Sequence, residues 1–197
     1  LEILNKPGKL TDDEFTIVKS HPLQGWEILR SANVTDEITL DVCLHHHERM
    51  DGAGYPNKLA GDGLTLYARM GAVCDVYDAV TSDRVYKKGW APAEAIRRMA
   101  EWRDGHFDET VFQAFVKTVG IYPVGSLVRL NSGRLAVVAE QSDGSLLKPK
   151  VKVFFSTKSQ EPVRLELIDL ARSQDGIKSP EDPAAWGFDL NKLMGVA

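Results

Sequence analysis

The chain changes its grammar at Gly120, and that change limits what it can fold into. Before this point apolar residues recur at helical spacing. After it come short apolar or alternating runs, Leu127-Val-Arg-Leu, Ala136-Val-Val-Ala and Val151-Lys-Val-Phe-Phe, separated by the turn signals Asn131-Ser-Gly and Ser142-Asp-Gly. The expected architecture is therefore mainly α, with a small antiparallel β domain at the carboxyl end. The boundaries expected are helices over 1–120, a β appendage over 121–172 and a polar tail over 173–197 with a weak helix near Leu190.

Within the helical half, Thr11 followed three residues later by Glu14 is a capping box, so a helix should start there and run to Ser20-His21, where Pro22 kinks or restarts it. A second helix from about Asp36, with Ile38, Val42 and Leu44 on one face, delivers His45-His46-His47-Glu48 before Asp51-Gly52-Ala53-Gly54-Tyr55-Pro56 stops it. A loop follows to about Leu64. Leu66 to about Ser82 reads as a long helix with Met70, Val73, Tyr77 and Val80 as its apolar stripe. Pro92 suits a first helical turn, and Asp108 suits the cap of a last helix carrying Val111, Phe112, Phe115 and Val116.

Composition narrows the function. At 197 residues and 43% hydrophobic, the chain can bury a core without disulfides or a structural metal. A net charge of -4 argues against a domain that coats nucleic acid, and no apolar run reaches the length of a membrane span. Cys43 and Cys74 stand apart in apolar helical contexts, which reads as small buried thiols in a reducing, cytoplasmic compartment.

The candidate chemistry lies with histidines and aspartates. Of five histidines, His21, His45, His46 and His47 fall in the helical half. Consecutive helical residues point about 100° apart, so two adjacent imidazoles can address one ion or two neighbouring ions while the third turns away. A solvated run of histidines is the plain alternative. Asp75 and Asp78 are spaced to share a helix face within an apolar stretch, where a cation would offset the cost of burying carboxylates. Against this, Asp78 could pair with Arg69 or Arg84 and leave Asp75 merely exposed.

Together these residues form a recognisable pattern. His46-His47-Glu48-Arg49-x-Asp51-Gly52-x-Gly54-Tyr55-Pro56, with Asp75-x-x-Asp78-Ala79-x-Thr81-Ser82-Asp83-Arg84-x-Tyr86 downstream, resembles the HD-GYP family of metal-dependent cyclic di-GMP phosphodiesterases. The resemblance runs from the Leu4-Asn5-Lys6-Pro7-Gly8-Lys9 opening through Ser20-His21-Pro22 to Gly105-His106-Phe107-Asp108, and the strands after Tyr122-Pro123 resemble an extension found on some members. It implies an HD-type helical bundle holding two or three divalent ions, iron or manganese, with His21, His46, His47 and Asp75 as the matching ligands. It also implies that Tyr55 contacts a guanine or helps shape the pocket and that Arg84 and Lys87 hold phosphate oxygens. The implied reaction is hydrolysis of cyclic di-GMP to pGpG and GMP by metal-activated water, with no protein nucleophile. A diguanylate cyclase or other signalling protein is the implied partner if the GYP loop serves as a docking module instead.

Two departures qualify the resemblance. The family's His-Asp dipeptide occurs nowhere in the chain, where His21 precedes Pro22 and His47 precedes Glu48. The opening at Leu1 reads as the inside of a loop, so the sequence is expected to be a carboxyl-terminal portion with a half-built metal site, inactive alone and active in its parent. His45 is an extra imidazole assigned to the outer face or to a position behind the metal ligands. His106 is expected to pin a helix junction, Arg97, Arg98 and Arg103 a solvated helix face, and Lys148 to Lys152 a strand edge.

Overall fold

A computed structural model of the chain describes residues 6, 8–83, 88–142, 144–190 and 193. Each helix begins where side-chain chemistry dictates. Helix α1 (Asp12–Val18) starts at the capping box: the Glu14 amide donates to Thr11 Oγ1 at 3.3 Å and the Thr11 amide to Glu14 Oε2 at 2.7 Å. Helix α2 (His21–Ser31) carries Pro22 in its first turn, where a missing N–H costs no helical bond. Asp36 caps α3 (Glu37–His45) and Thr65 caps α4 (Leu66–Thr81). Helix α5 (Pro92–His106) breaks at Gly105, whose φ of +75° no longer fits a helix, and Asp108 accepts from the Val111 amide at 2.9 Å to start α6 (Glu109–Val119).

The chain divides into two compact units, Leu1–Trp90 with Arg97–Phe115, and Ala91–Ile96 with Val116–Ala197. In the first, α3 packs on α2 and on α4. The approach of α3 to α4 requires Gly71: a methyl group there would lie 3.0 Å from Val42 Cγ1 and 3.5 Å from His46 Cβ. The buried side of α4 is accordingly Ala68, Ala72 and Val73. This corrects the expected stripe at Met70, whose place is taken by the small Ala68 and Ala72, while Val73 is buried as expected. Met70 is 48% exposed and lies on an outward stripe with Tyr67, Cys74 and Asp78. The reading of buried thiols is corrected by the same geometry: Cys74 is exposed and Cys43 only half-buried.

In the second unit five strands form one antiparallel sheet in the order β4-β3-β2-β1-β5: β1 (Leu127–Leu130), β2 (Arg134–Glu140), β3 (Lys150–Ser156), β4 (Glu161–Asp169) and β5 (Ile177–Pro180). Alternation sends Val128, Leu130, Ala136, Val138, Val151 and Val153 to one core face, closed by Leu170. Leu127, Leu135, Val137 and Phe154 form the other, under Trp186, Phe188, Leu190 and Leu193. A sheet buried on both faces explains the near-continuous apolar runs of β1 and β2.

Two expectations change here. The segment from 173, expected as a polar tail, supplies β5, whose ladder with β1 continues through Asn131 N–H to Gly176 O and Glu181 N–H to Leu127 O, both 2.9 Å. Four residues ending in proline carry too little alternation to be read as a strand. The short helix α7 (Pro183–Trp186) follows, and the helix expected near Leu190 is present as a Leu193 N–H to Asp189 O bond of 3.3 Å. The lysines of Lys148–Lys152 do not mark an edge, since β3 lies between β2 and β4; Lys150 pairs with Glu140 at 2.6 Å and Lys152 Nζ donates to Leu193 O at 3.2 Å. The edge strands are β4 and β5, and β4 carries Pro162 and a register irregularity opposite Val153 and Phe155, devices that blunt an edge.

Leu130 is fully buried. Leu130→Ala should destabilise the sheet unit by about 2–5 kcal/mol in denaturant unfolding. A loss below about 1 kcal/mol would contradict this core assignment.

Candidate metal centre

Three elements bring three imidazoles together. His21 opens α2, His46 caps the end of α3, and His47 follows it in the turn. His21 Nδ1 lies 2.8 Å from Val18 O, and His46 Nδ1 lies 3.0 Å from Val42 O and 2.9 Å from Cys43 O. A carbonyl oxygen only accepts, so both Nδ1 atoms carry a proton, and in the neutral imidazoles both Nε2 atoms are left bare. Those two Nε2 atoms face each other at 3.2 Å. The His47 ring lies 4.8 Å from His21 and 4.4 Å from His46, and one nitrogen from each of the three rings falls within 4.8 Å of the others. Lone pairs aimed at one another repel, and a shared cation removes that cost. Burial, reinforced by the neighbouring His46 and His21, lowers the His47 pKa to about 4, so its imidazole is neutral at physiological pH. The donor set therefore fits a borderline divalent ion.

Asp75 reaches the site from α4, with Oδ2 3.4 Å from His47 Nδ1. It stands beside His47, outside the three-nitrogen group. Asp78 does not share this position: it is exposed on the outward stripe and accepts from Ser82 Oγ at 3.3 Å. Of the two partners expected as alternatives for Asp78, Arg69 pairs instead with Asp108 at 2.9 Å and Asp62 at 3.5 Å, and Arg84 lies outside the described residues.

The loop after α3 is folded against this cluster. Tyr55 stacks on His47 with ring centroids 4.7 Å apart and planes at 29°. Burial, with the Asp75 carboxylate nearby, pushes the Tyr55 phenol up to about 12, which keeps it protonated. Gly54 is obligatory, because a Cβ would lie 2.5 Å from Glu48 Cα and 2.7 Å from His47 O. Glu48, 2% exposed, receives the Asn57 N–H at 2.6 Å and the Leu59 N–H at 3.2 Å. On its other side Asn57 donates its side-chain amide to His45 Nε2 at 3.0 Å, while His45 Nδ1 meets Asp41 at 2.8 Å. The first histidine of the run thus faces away from the cluster, as expected, and clamps the loop. Sequence reasoning missed Glu48, Asp41 and Asn57, since a carboxylate satisfied by amides nine and eleven residues away leaves no local signature.

Farther along, Asp51 accepts from Arg49 at 2.6 Å and from the Ala53 N–H at 2.9 Å, which depress its pKa to about 2. Amides of Met50 and Asp51 donate to His106 O at 3.2 Å and Gly105 O at 2.8 Å, so the Gly105-His106 junction is pinned to the loop. Arg84 and Lys87, the expected phosphate contacts, lie outside the described residues. The whole arrangement opens into a cleft of about 1360 Å³ lined by His21, His46, His47, Tyr55, Asp75 and Lys19, among others.

A helical frame that converges imidazoles beside a carboxylate defines a metal-binding helical domain. A profile of the HD domain matches residues 1–111, and the chain belongs to that family, whose members bind divalent metal. Among its relatives are a cyclic di-GMP phosphodiesterase of Pseudomonas aeruginosa, 61% identical over 94% of this chain and 45% of that protein, and a cyclic di-GMP phosphodiesterase response regulator of Xanthomonas campestris, 41% identical over 58% of this chain and 31% of that protein. A 3'3'-cGAMP-specific phosphodiesterase of Vibrio cholerae is 34% identical over 58% of this chain and 22% of its own length. The chain thus spans less than half the length of these relatives. No helix among the described residues is long and apolar enough to cross a membrane.

Glu48→Gln replaces an acceptor with a donor facing a backbone N–H, and should cost about 1–3 kcal/mol. Faster hydrogen exchange at the Asn57 and Leu59 amides checks it; unchanged exchange would refute the anchor. Asp51 makes the opposite kind of contribution. Its carboxylate titrates at about 2 in the fold against an ordinary 3.8, so its stabilisation is complete above the ordinary value and is lost as pH falls. Because the pair is a third exposed, the stability gap between wild type and Asp51→Asn should be at most about 1 kcal/mol at pH 6, closing between about pH 4 and pH 2.

Proposed function

We propose that the chain forms part of a cytoplasmic, metal-dependent phosphodiesterase that hydrolyses cyclic di-GMP to pGpG and GMP. The observation that carries this reading is the pair of bare Nε2 atoms of His21 and His46 facing each other beside His47. The relative at 61% identity, named a cyclic di-GMP phosphodiesterase, supports the substrate. His21, His46, His47 and Asp75 are this chain's share of the ligands for two or three ions, iron or manganese in preference to softer metals because the donors are imidazole and carboxylate.

When bound, such ions lower the pKa of a water and neutralise the charge of the cleaved phosphodiester. The protein's own contributions are positional. Val18, Val42 and Cys43 carbonyls fix two imidazoles in the tautomer that offers Nε2. Asp75 stands where it accepts the His47 Nδ1 proton, which would raise the ligand strength of His47. Tyr55, held by Gly54 and Glu48 and packed on His47 at the cleft wall, contacts a guanine or shapes the pocket that receives it. Arg84 and Lys87 complete the reading as phosphate contacts. A docking module for a diguanylate cyclase gains no support from a Tyr55 that is packed on His47.

The test is hydrolysis by this chain and by a form extended upstream through a His-Asp pair, each reconstituted anaerobically with Fe(II) or Mn(II) and offered cyclic di-GMP or 3'3'-cGAMP. Turnover of cyclic di-GMP by the extended form, with metal affinity reduced at least about tenfold in His46→Ala and His47→Ala, is expected. Unchanged metal content in both variants, or preference for 3'3'-cGAMP, would contradict it.

A further inference from the structure

Among the described residues that line the cleft, Lys19 is a cation that neither metal ligation nor loop anchoring uses. Lys19 caps the end of α1, two residues before His21. Its ammonium lies 4.4 Å from the Phe15 ring centroid and 5.7 Å from that of Tyr55, the ring stacked on His47. The other cations and anions of the cleft wall are committed. Arg49 forks onto Asp51 at 3.1 and 2.6 Å, Glu48 receives two loop amides, and Asp75 stands against His47. Among the described residues Lys19 has no carboxylate partner, and it lines the same cleft as the imidazoles. Aromatic faces hold an ammonium in place without neutralising its charge. An ammonium so placed is a ready point charge for a phosphate oxygen.

We propose that Lys19 binds the second phosphodiester of a cyclic dinucleotide, the one not being cut. This rests on the phosphodiesterase reading. A cyclic dinucleotide carries two phosphodiesters in one ring, so a molecule with one of them at the imidazoles presents the other a ring's width away. Lys19 and His47 both lie against the Tyr55 ring, the ammonium 5.7 Å and the imidazole centroid 4.7 Å from its centre, so the charge stands beside the imidazoles in the same cleft. Lys19 is thereby a residue that distinguishes dinucleotides from mononucleotides, which have no second phosphodiester to offer.

The experiment is equilibrium binding of cyclic di-GMP and of GMP to the upstream-extended protein, kept metal-free so that bound nucleotide is not cut. Lys19→Gln should weaken cyclic di-GMP about tenfold, the worth of one charge-assisted contact, and leave GMP within about twofold. Lys19→Arg should restore the dinucleotide affinity, and added salt should weaken the wild type more than Lys19→Gln. Equal affinity of Lys19→Gln and wild type for cyclic di-GMP would overturn the assignment while leaving the phosphodiesterase reading intact. So would an equal loss for both nucleotides with a lowered Tm, which would make Lys19 a packing residue through Phe15. No binding of cyclic di-GMP by the metal-free wild type would also overturn this assignment, and no binding or turnover after reconstitution with Fe(II) or Mn(II) would take the phosphodiesterase reading with it.

Discussion

The buried Glu48 carboxylate is the interaction on which the site depends. Its two oxygens take the amides of Asn57 and Leu59, and no other acidic side chain among the described residues is as deeply buried. A carboxylate removed from water is costly unless its lone pairs are filled, and here amides of the loop itself fill them. The bond therefore works in both directions: the loop makes the buried charge tolerable, and the charge fixes the loop. Because the anchored residues follow directly on Tyr55-Pro56, fixing them sets the Tyr55 ring against His47. Gly54 lets the loop lie on the α3 terminus closely enough for this to happen.

The imidazole cluster has the complementary logic. Three histidines from two helix termini and a turn converge because helix ends leave carbonyls free, and those carbonyls take the Nδ1 protons of His21 and His46. The nitrogens left over point inward. In a protein with no task for them this would be an unfavourable arrangement, since two neutral acceptors gain nothing from meeting at 3.2 Å. The neutral state of His47, imposed by burial, extends the same character to the third ring. A site that costs the apo protein stability and is relieved by a cation is what metal binding coupled to folding predicts.

Much of this was legible in the sequence because it is local. The Thr11 capping box, the Pro22 restart, the Asp108 cap and the division of the histidine run into inward and outward members all follow from spacing and side-chain chemistry. What escaped was non-local. Glu48 reads as an ordinary charged residue until Asn57 and Leu59 are folded onto it. Met70 looked like core because it is large and apolar, yet the close approach at Gly71 selected Ala68 and Ala72. The lysines of β3 resembled an edge until β4 was paired outside them, and β5 was too short to show a period. The resemblance to HD-GYP enzymes supplied roles for Tyr55 and Asp75 that no pattern of spacing contains.

The most direct test of the account is the protonation of the imidazole nitrogens, read from long-range 1H–15N correlations of the histidine side chains during titration with Zn(II). The account predicts that His21 and His46 carry their proton on Nδ1 in the metal-free protein, and that Zn(II) shifts the Nε2 resonances of both together with one nitrogen of His47, leaving His45 and His106 in place. Protonated Nε2 atoms on His21 and His46, or Zn(II) shifts confined to His45 and His106, would contradict it.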